Sequence, residues 1–251
     1  MNPLYPVRIV LSVGILLTAP LTLASGQNTS VESIDKVNGS ITAMAGKHYG
    51  ELETVNGSIQ IEAGARVGNA QTVNGSVRLA ENAHAGDLGT VNGSIKLSDN
   101  VQASEIETVN GSVRLGRQAR IGGSVETVNG SIFSDRGSNI ARNIETVNGS
   151  IGLVDTDLGG NIETVSGDIT VGQGSHVRGG IKIEKHNTNW MPIHFGKKRR
   201  PPRIVIGPGA VIEGPLMFER EVKLYVHNSA RIGAVTGATA VRYDGPRAPQ
   251  D

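Results

Sequence analysis

The chain is expected to be all-β: a single-stranded parallel β-helix, or solenoid, of about 18 residues per coil, right-handed favoured over left-handed. Three observations carry that expectation. First, Val-Asn-Gly-Ser recurs with its asparagine at Asn38, Asn56, Asn74, Asn92, Asn110, Asn129 and Asn148, then returns once more with Ser166 in the asparagine position, in steps of 18 or 19 residues. Self-similarity at a fixed period near 20 marks a coil that is buried only by its neighbours. Second, each period alternates apolar and polar residues, as in Ile59-Gln60-Ile61, Val77-Arg78-Leu79 and Ile95-Lys96-Leu97, the period-two signature of strands with one face in and one out. Third, 34 glycines and only 3% aromatic residues suit a thin core of stacked aliphatics rather than a thick one built on rings.

In chain order, the first segment carries Arg8, an apolar run from Ile9 to Leu23 and the small residues Ala24, Ser25 and Gly26. This is the pattern of a secretory signal peptide, residues 1–24. About 15 apolar residues interrupted by Pro20 fall short of the roughly 20 needed to span a bilayer. Without a cysteine after the run there is no lipoprotein processing, and the expected location is periplasmic or secreted. Residues 25–33 read as a leader or cap, 34–241 as the solenoid, and 242–251, with two prolines, as a disordered tail. Within the solenoid, Ile59, Ile169, Ile204 and Leu224 begin equivalent segments, so the coil continues past Ser166 to about eleven coils. The step from Ile169 to Ile204 is 35 residues, one coil plus an insertion at about 186–203.

In the coil beginning at Glu53, the expected inward positions are Val55, Ile59, Ile61 and Val67, with small Ala65 and Ala70. Asn-Gly is expected at a corner, because both residues tolerate positive φ at low cost. The seven asparagines form a structural ladder whose amides bond from coil to coil, as in stacked β structures; glycosylation of the Asn-Gly-Ser sequons is the competing reading. Thr54, Thr72, Thr90, Thr108, Thr127, Thr146 and Thr164 make a second ladder, expected to face outward. Water ordering by such a ladder is weighed against plain strand propensity, which is favoured.

The absence of cysteine excludes thiol catalysis and Cys-type zinc sites. Removing residues 1–24 takes away one basic residue, leaving 23 Lys and Arg against 23 Asp and Glu, so no nucleic-acid partner is expected. Glu107, Glu126, Glu145 and Glu163 fall in successive coils and stack like charges; exposure and the nearby Arg120 or Arg142 are the expected relief, with a divalent cation as the alternative. No metal or cofactor is expected. His48, His84, His176, His186, His194 and His227 have no partner that spacing identifies, so no catalytic residue is assigned and the chain is read as a non-enzyme. The one departure from repetition is the insertion: from Lys182 to Arg203 there are seven Lys or Arg and one Glu. Trp190, Lys197, Lys198, Arg199, Arg200 and Arg203 are the candidates there for docking on an anionic envelope glycan or lipid.

Val-Asn-Gly-Ser-Ile with a further hydrophobic residue two positions on resembles the adhesin-like β-solenoid repeats of exported bacterial proteins. Ile204-Val-Ile-Gly-Pro-Gly-Ala-Val-Ile-Glu-Gly is similar to the repeats of bactofilins, polymer-forming proteins with a β-helical core. The resemblances imply a right-handed β-helix that assembles end to end, and the signal-like N-terminus departs from the cytoplasmic location of bactofilins. The expected function is that of an exported, structural, self-associating or adhesin-like protein of the bacterial cell envelope. The alternatives are an anionic glycan- or lipid-binding module and a hexapeptide-type acyltransferase-like enzyme, which shares the 18-residue coil.

Overall fold

The computed structural model describes residues 31–185 and 200–250. The signal-like segment and Trp190, Lys197, Lys198 and Arg199 lie outside the described residues. All secondary structure among the described residues is β, in parallel strands that stack about 18 residues apart. Each coil contributes one strand to each of three walls. The first wall runs through Glu32–Asn38, His48–Asn56, Ala70–Asn74 and onward to Val235–Thr236. The second runs through Ile41–Ala43, Ile59–Ile61, Val77–Leu79 and onward to Ala240–Tyr243, eleven strands in all. The third has two-residue strands such as Gln102–Ala103 and Arg120–Ile121, ends at Arg231–Ile232, and reaches back to Arg66–Val67 through single bridges at His84.

The register explains why the sequence repeats. Ile59, Val77 and Ile95 are directly paired, and the column continues through Val113, Ile132, Ile151, Ile169, Ile204 and Leu224. Parallel in-register strands place every side chain on its own counterpart about 4.8 Å away, so one aliphatic per position fills the interior for the whole length. The segments beginning at Ile59, Ile169, Ile204 and Leu224 are equivalent, as their sequences imply. The last strand takes in Arg242 and Tyr243, two residues that the sequence assigns to the tail. Tyr243 is buried, and its hydroxyl donates to the Ile206 carbonyl at 3.2 Å. Two 19-residue steps are absorbed where the third wall turns into the first: four residue steps separate Ile121 from Val125, where three separate Ala103 from Ile106.

The phase of the first wall differs from the sequence expectation. In Ile106-Glu107-Thr108-Val109-Asn110 the residues pointing inward are Ile106 and Thr108, and Val109 is half-exposed. The same holds for Leu52 and Thr54 against Val55. Because the side-chain period is two, choosing the more apolar of two neighbours inverted this short strand. The threonines are therefore inside, at 0–3% exposure, and cannot order water on an outer face. At the far end, Val241 points outward in register with Tyr225 and is 51% exposed.

Candidate functional site

Three ladders meet at the Asn-Gly-Ser corner, where the first wall turns into the second. Six asparagine amides donate to the side-chain oxygen of the asparagine one coil earlier, from Asn56 on Asn38 to Asn148 on Asn129, at 3.0–3.1 Å. This ladder lies on the outside of the coil, and the nitrogen a glycan would modify is the donor in each bond. Each serine backbone N–H approaches the preceding serine Oγ at 3.2–3.4 Å. Each buried threonine hydroxyl, from Thr54 to Thr146, donates at 2.8–3.2 Å to the carbonyl of the corner glycine one coil back. A valine there would leave that carbonyl without its side-chain donor, which is why threonine takes the inward place.

The glycine of this corner has a steric reason. Gly57, Gly75, Gly93, Gly111, Gly130 and Gly149 do not occupy the left-handed region, and none of the asparagines does. A Cβ on any of these glycines would stand closer than 3.0 Å to the carbonyl oxygen of the glycine below. At the next corner, between the second and third walls, positive φ recurs in successive coils, at Gly46, Gly64, Asn82, Asn100, Gln118, Gly137, Asp155, Gly174 and Gly209; at the first corner it is found in the flanking coils, at Gly39 before the six crowded glycines and at Gly167 and Gly237 after them.

All three ladders stop together. Ser166 has no amide to offer Asn148, and the buried Thr164 hydroxyl has no hydrogen-bond partner. One coil on, the first-wall strand ends at Ile183 and the second-wall strand begins at Arg203, so the insertion leaves from this same corner. Its return is fixed by Asp168, a residue the sequence reading passed over although it replaces the corner serine. Arg200 grips the Asp168 carboxylate through Nη2 at 2.6 Å and Nη1 at 3.2 Å, and the Arg203 backbone N–H donates to it at 2.9 Å. Between the end of the ladders and this strap lies a groove of about 700 Å³, lined among others by Asn148, Ser150, Ser166, Asp168, Arg200 and Pro202. Arg203 lies along the outer face of the second wall: its guanidinium is 4.9 Å from the Tyr225 ring centre and donates to the Pro249 carbonyl at 2.6 Å. Of the six candidates for an anionic surface, Arg200 and Arg203 are thus engaged within the chain.

The outer faces carry columns of charge. On the first wall Glu107, Glu126, Glu145 and Glu163 are in register, and the next residue in the column is Lys182. Burial pushes Glu126 up to about 7, helped by the carboxylates of Glu145, Glu107 and Glu105. Glu107 is raised by burial and then by Glu105 and Asp87. Glu145 is raised by burial and by Glu163 and Glu184, against a bond from Asn143. Arg120 and Arg142 form no ion pair with these glutamates, because Arg120 projects from the third wall and Arg142 from the corner beyond it. Among the described residues no three His, Asp or Glu converge as a metal ligand set. His176 stands in a column of the third wall, with Nε2 2.7 Å from Glu213 and Nδ1 4.0 Å from Asp157, which in turn pairs with Arg178 at 2.9 Å. His227 Nδ1 meets Ser229 Oγ at 2.7 Å and Nε2 meets the Asp244 carbonyl at 3.2 Å, tying the last coil to its tail.

These features define a three-walled β-solenoid with one side-chain-laddered corner and one inserted segment. No protein-family model, curated protein or solved structure matches the chain.

Proposed function

We propose that the protein is an exported, non-enzymatic β-solenoid with a structural, self-associating or adhesin-like role in the bacterial cell envelope. The observation that carries this reading is the uninterrupted stacking of in-register parallel strands from Glu32 to Tyr243, which makes a rod whose two ends are sheet edges. At the first coil, Val31, Val37 and Met44 are each more than half exposed beside the edge strand Glu32–Asn38. Unpaired edges with apolar flanks favour addition of another chain. The export half rests on the signal-like residues 1–24. Fractionation of expressing cells tests it: the expected product is a shortened chain outside the cytosol. Full-length protein in the cytosol, or a chain that sediments only as a monomer at high concentration, overturns the reading.

A second reading is supported by where the insertion leaves, at the corner on which all three ladders end. There the segment bearing Trp190, Lys197, Lys198 and Arg199 serves as a contact for an anionic glycan or lipid. Replacing Lys197, Lys198 and Arg199 by alanine, with Arg200 kept because it holds Asp168, is expected to abolish binding to vesicles containing anionic lipid. Unchanged binding removes this reading.

A further inference from the structure

A second charge column stands on the next face. On the outer surface of the second wall Arg78, Lys96 and Arg114 are in register in three successive coils, all exposed. Arg78 and Lys96 enter no ion pair among the described residues, and Arg114 lies 4.9 Å from the centre of the Phe133 ring. On the first wall Glu107, Glu126 and Glu145 likewise form no ion pair. Like charges directly opposite on neighbouring strands are unfavourable. The molecule nevertheless keeps two such columns, of opposite sign, on adjacent faces of one rod. Walls that meet at a corner face different directions, so the two columns cannot neutralise each other within one chain. Both have the pitch of the β-ladder, about 4.8 Å.

We propose that these columns are the two halves of a lateral contact between copies of this chain, the acidic first wall of one copy packing against the basic second wall of the next. With the rods parallel and offset by two coils, about 10 Å, Arg78, Lys96 and Arg114 come opposite Glu107, Glu126 and Glu145. Because the pitch on both sides is that of the same backbone, every pair is matched once one pair is. Half-exposed Val109, Val128 and Val147 run beside the glutamates and give the contact an apolar edge. The contact is heterologous, so a pair of copies leaves the basic wall of one and the acidic wall of the other free, and the assembly stays open. The inference rests on the self-associating reading above and names its surface.

The test uses the purified chain and two variants in sedimentation and light scattering. One carries Arg78→Glu, Lys96→Glu and Arg114→Glu; the other carries Glu107→Lys, Glu126→Lys and Glu145→Lys. The unaltered chain is expected to assemble at low salt and to dissociate when salt near 0.5 M shortens the screening length to a few ångströms. Each variant alone is expected to need at least about tenfold more protein to assemble. An equimolar mixture of the two is expected to assemble like the original, since each then meets the opposite charge on both walls. Circular dichroism checks folding. If a charge reversal does not fold, glutamine at the same positions replaces it, with the same loss of assembly expected. A monomeric original chain at low salt overturns the proposal, as do folded variants that assemble alone like the original, or a mixture of folded variants that stays monomeric. Assembly that survives both the variants and high salt overturns the lateral contact while leaving end-to-end association standing. An original chain that stays monomeric but binds heparin through Arg78, Lys96 and Arg114 overturns it in favour of a polyanion partner.

Discussion

Two corners of the same coil solve the same turning problem by different means. At the Asn-Gly-Ser corner the glycines from Gly57 to Gly149 lie outside the left-handed region, and what they must lack is bulk, because the carbonyl of the coil below fills the space where a Cβ would go. At the next corner the backbone is left-handed in coil after coil, and there is room: a Cβ at Gly46, Gly64 or Gly209 meets nothing within 4 Å. The first corner therefore tolerates one residue type, and the second tolerates Gly, Asn, Gln and Asp. A strict repeat in the sequence marks crowding, and a loose one marks a conformational preference.

The largest expected effect tests the crowded corner. Gly111→Ala should lower stability by about 3 kcal/mol, at the upper end for overpacking, because its neighbour Gly93 is backbone and cannot swing aside. Chemical denaturation against the unaltered chain measures it, and a change under about 0.5 kcal/mol breaks the steric argument. Thr108→Val keeps the shape and removes one buried hydroxyl donor to the Gly93 carbonyl, with an expected loss of about 1–2 kcal/mol by the same measurement. At the roomy corner, Gly64→Ala should cost only about 1 kcal/mol, the penalty for an ordinary side chain in the left-handed region. Gly64→Asn should be near neutral, because asparagine already serves at Asn82 and Asn100. Equal losses for Gly111→Ala and Gly64→Ala would erase the distinction.

The smallest effect concerns the wall that leads into the crowded corner, and it appears as a slope with pH. The folded chain holds Glu126 at about 7, above its ordinary 4.5, so folding favours the protonated form. Its contribution is complete below about 4.5 and is lost as pH rises toward and through 7. Glu126→Gln should flatten the fall in melting temperature between pH 4.5 and 8 and leave the variant the more stable of the two at pH 8. An unchanged slope would place the pH dependence elsewhere.

The parallel solenoid, the coil length and the position of the insertion were legible because in-register stacking forces like onto like, so period is read directly from sequence. The amide ladder was legible for the same reason. The direction of Thr108 was not, since hydropathy ranks Val109 above it and the hydrogen bond to Gly93 joins residues 15 apart through the coil. The left-handed corner was hidden because four residue types satisfy it. Asp168 was hidden because its partners Arg200 and Arg203 lie more than 30 residues on, across the insertion. The glutamate column is legible as a stack, but Arg120 and Arg142 do not relieve it, because sequence proximity does not say which wall an arginine projects from.

The asparagine ladder also has a direction. Every amide donates toward the N-terminal end, from Asn148 through Asn129 and so down to Asn38. A coil duplicated anywhere inside that column would find an amide acceptor waiting below it and an amide donor above, whereas one added after Ser166 would find no amide on either side. Growth or shrinkage of the gene by whole repeats is therefore cheap within the column and penalised beyond it. Whole repeats can thus be gained or lost inside the column without breaking the ladder.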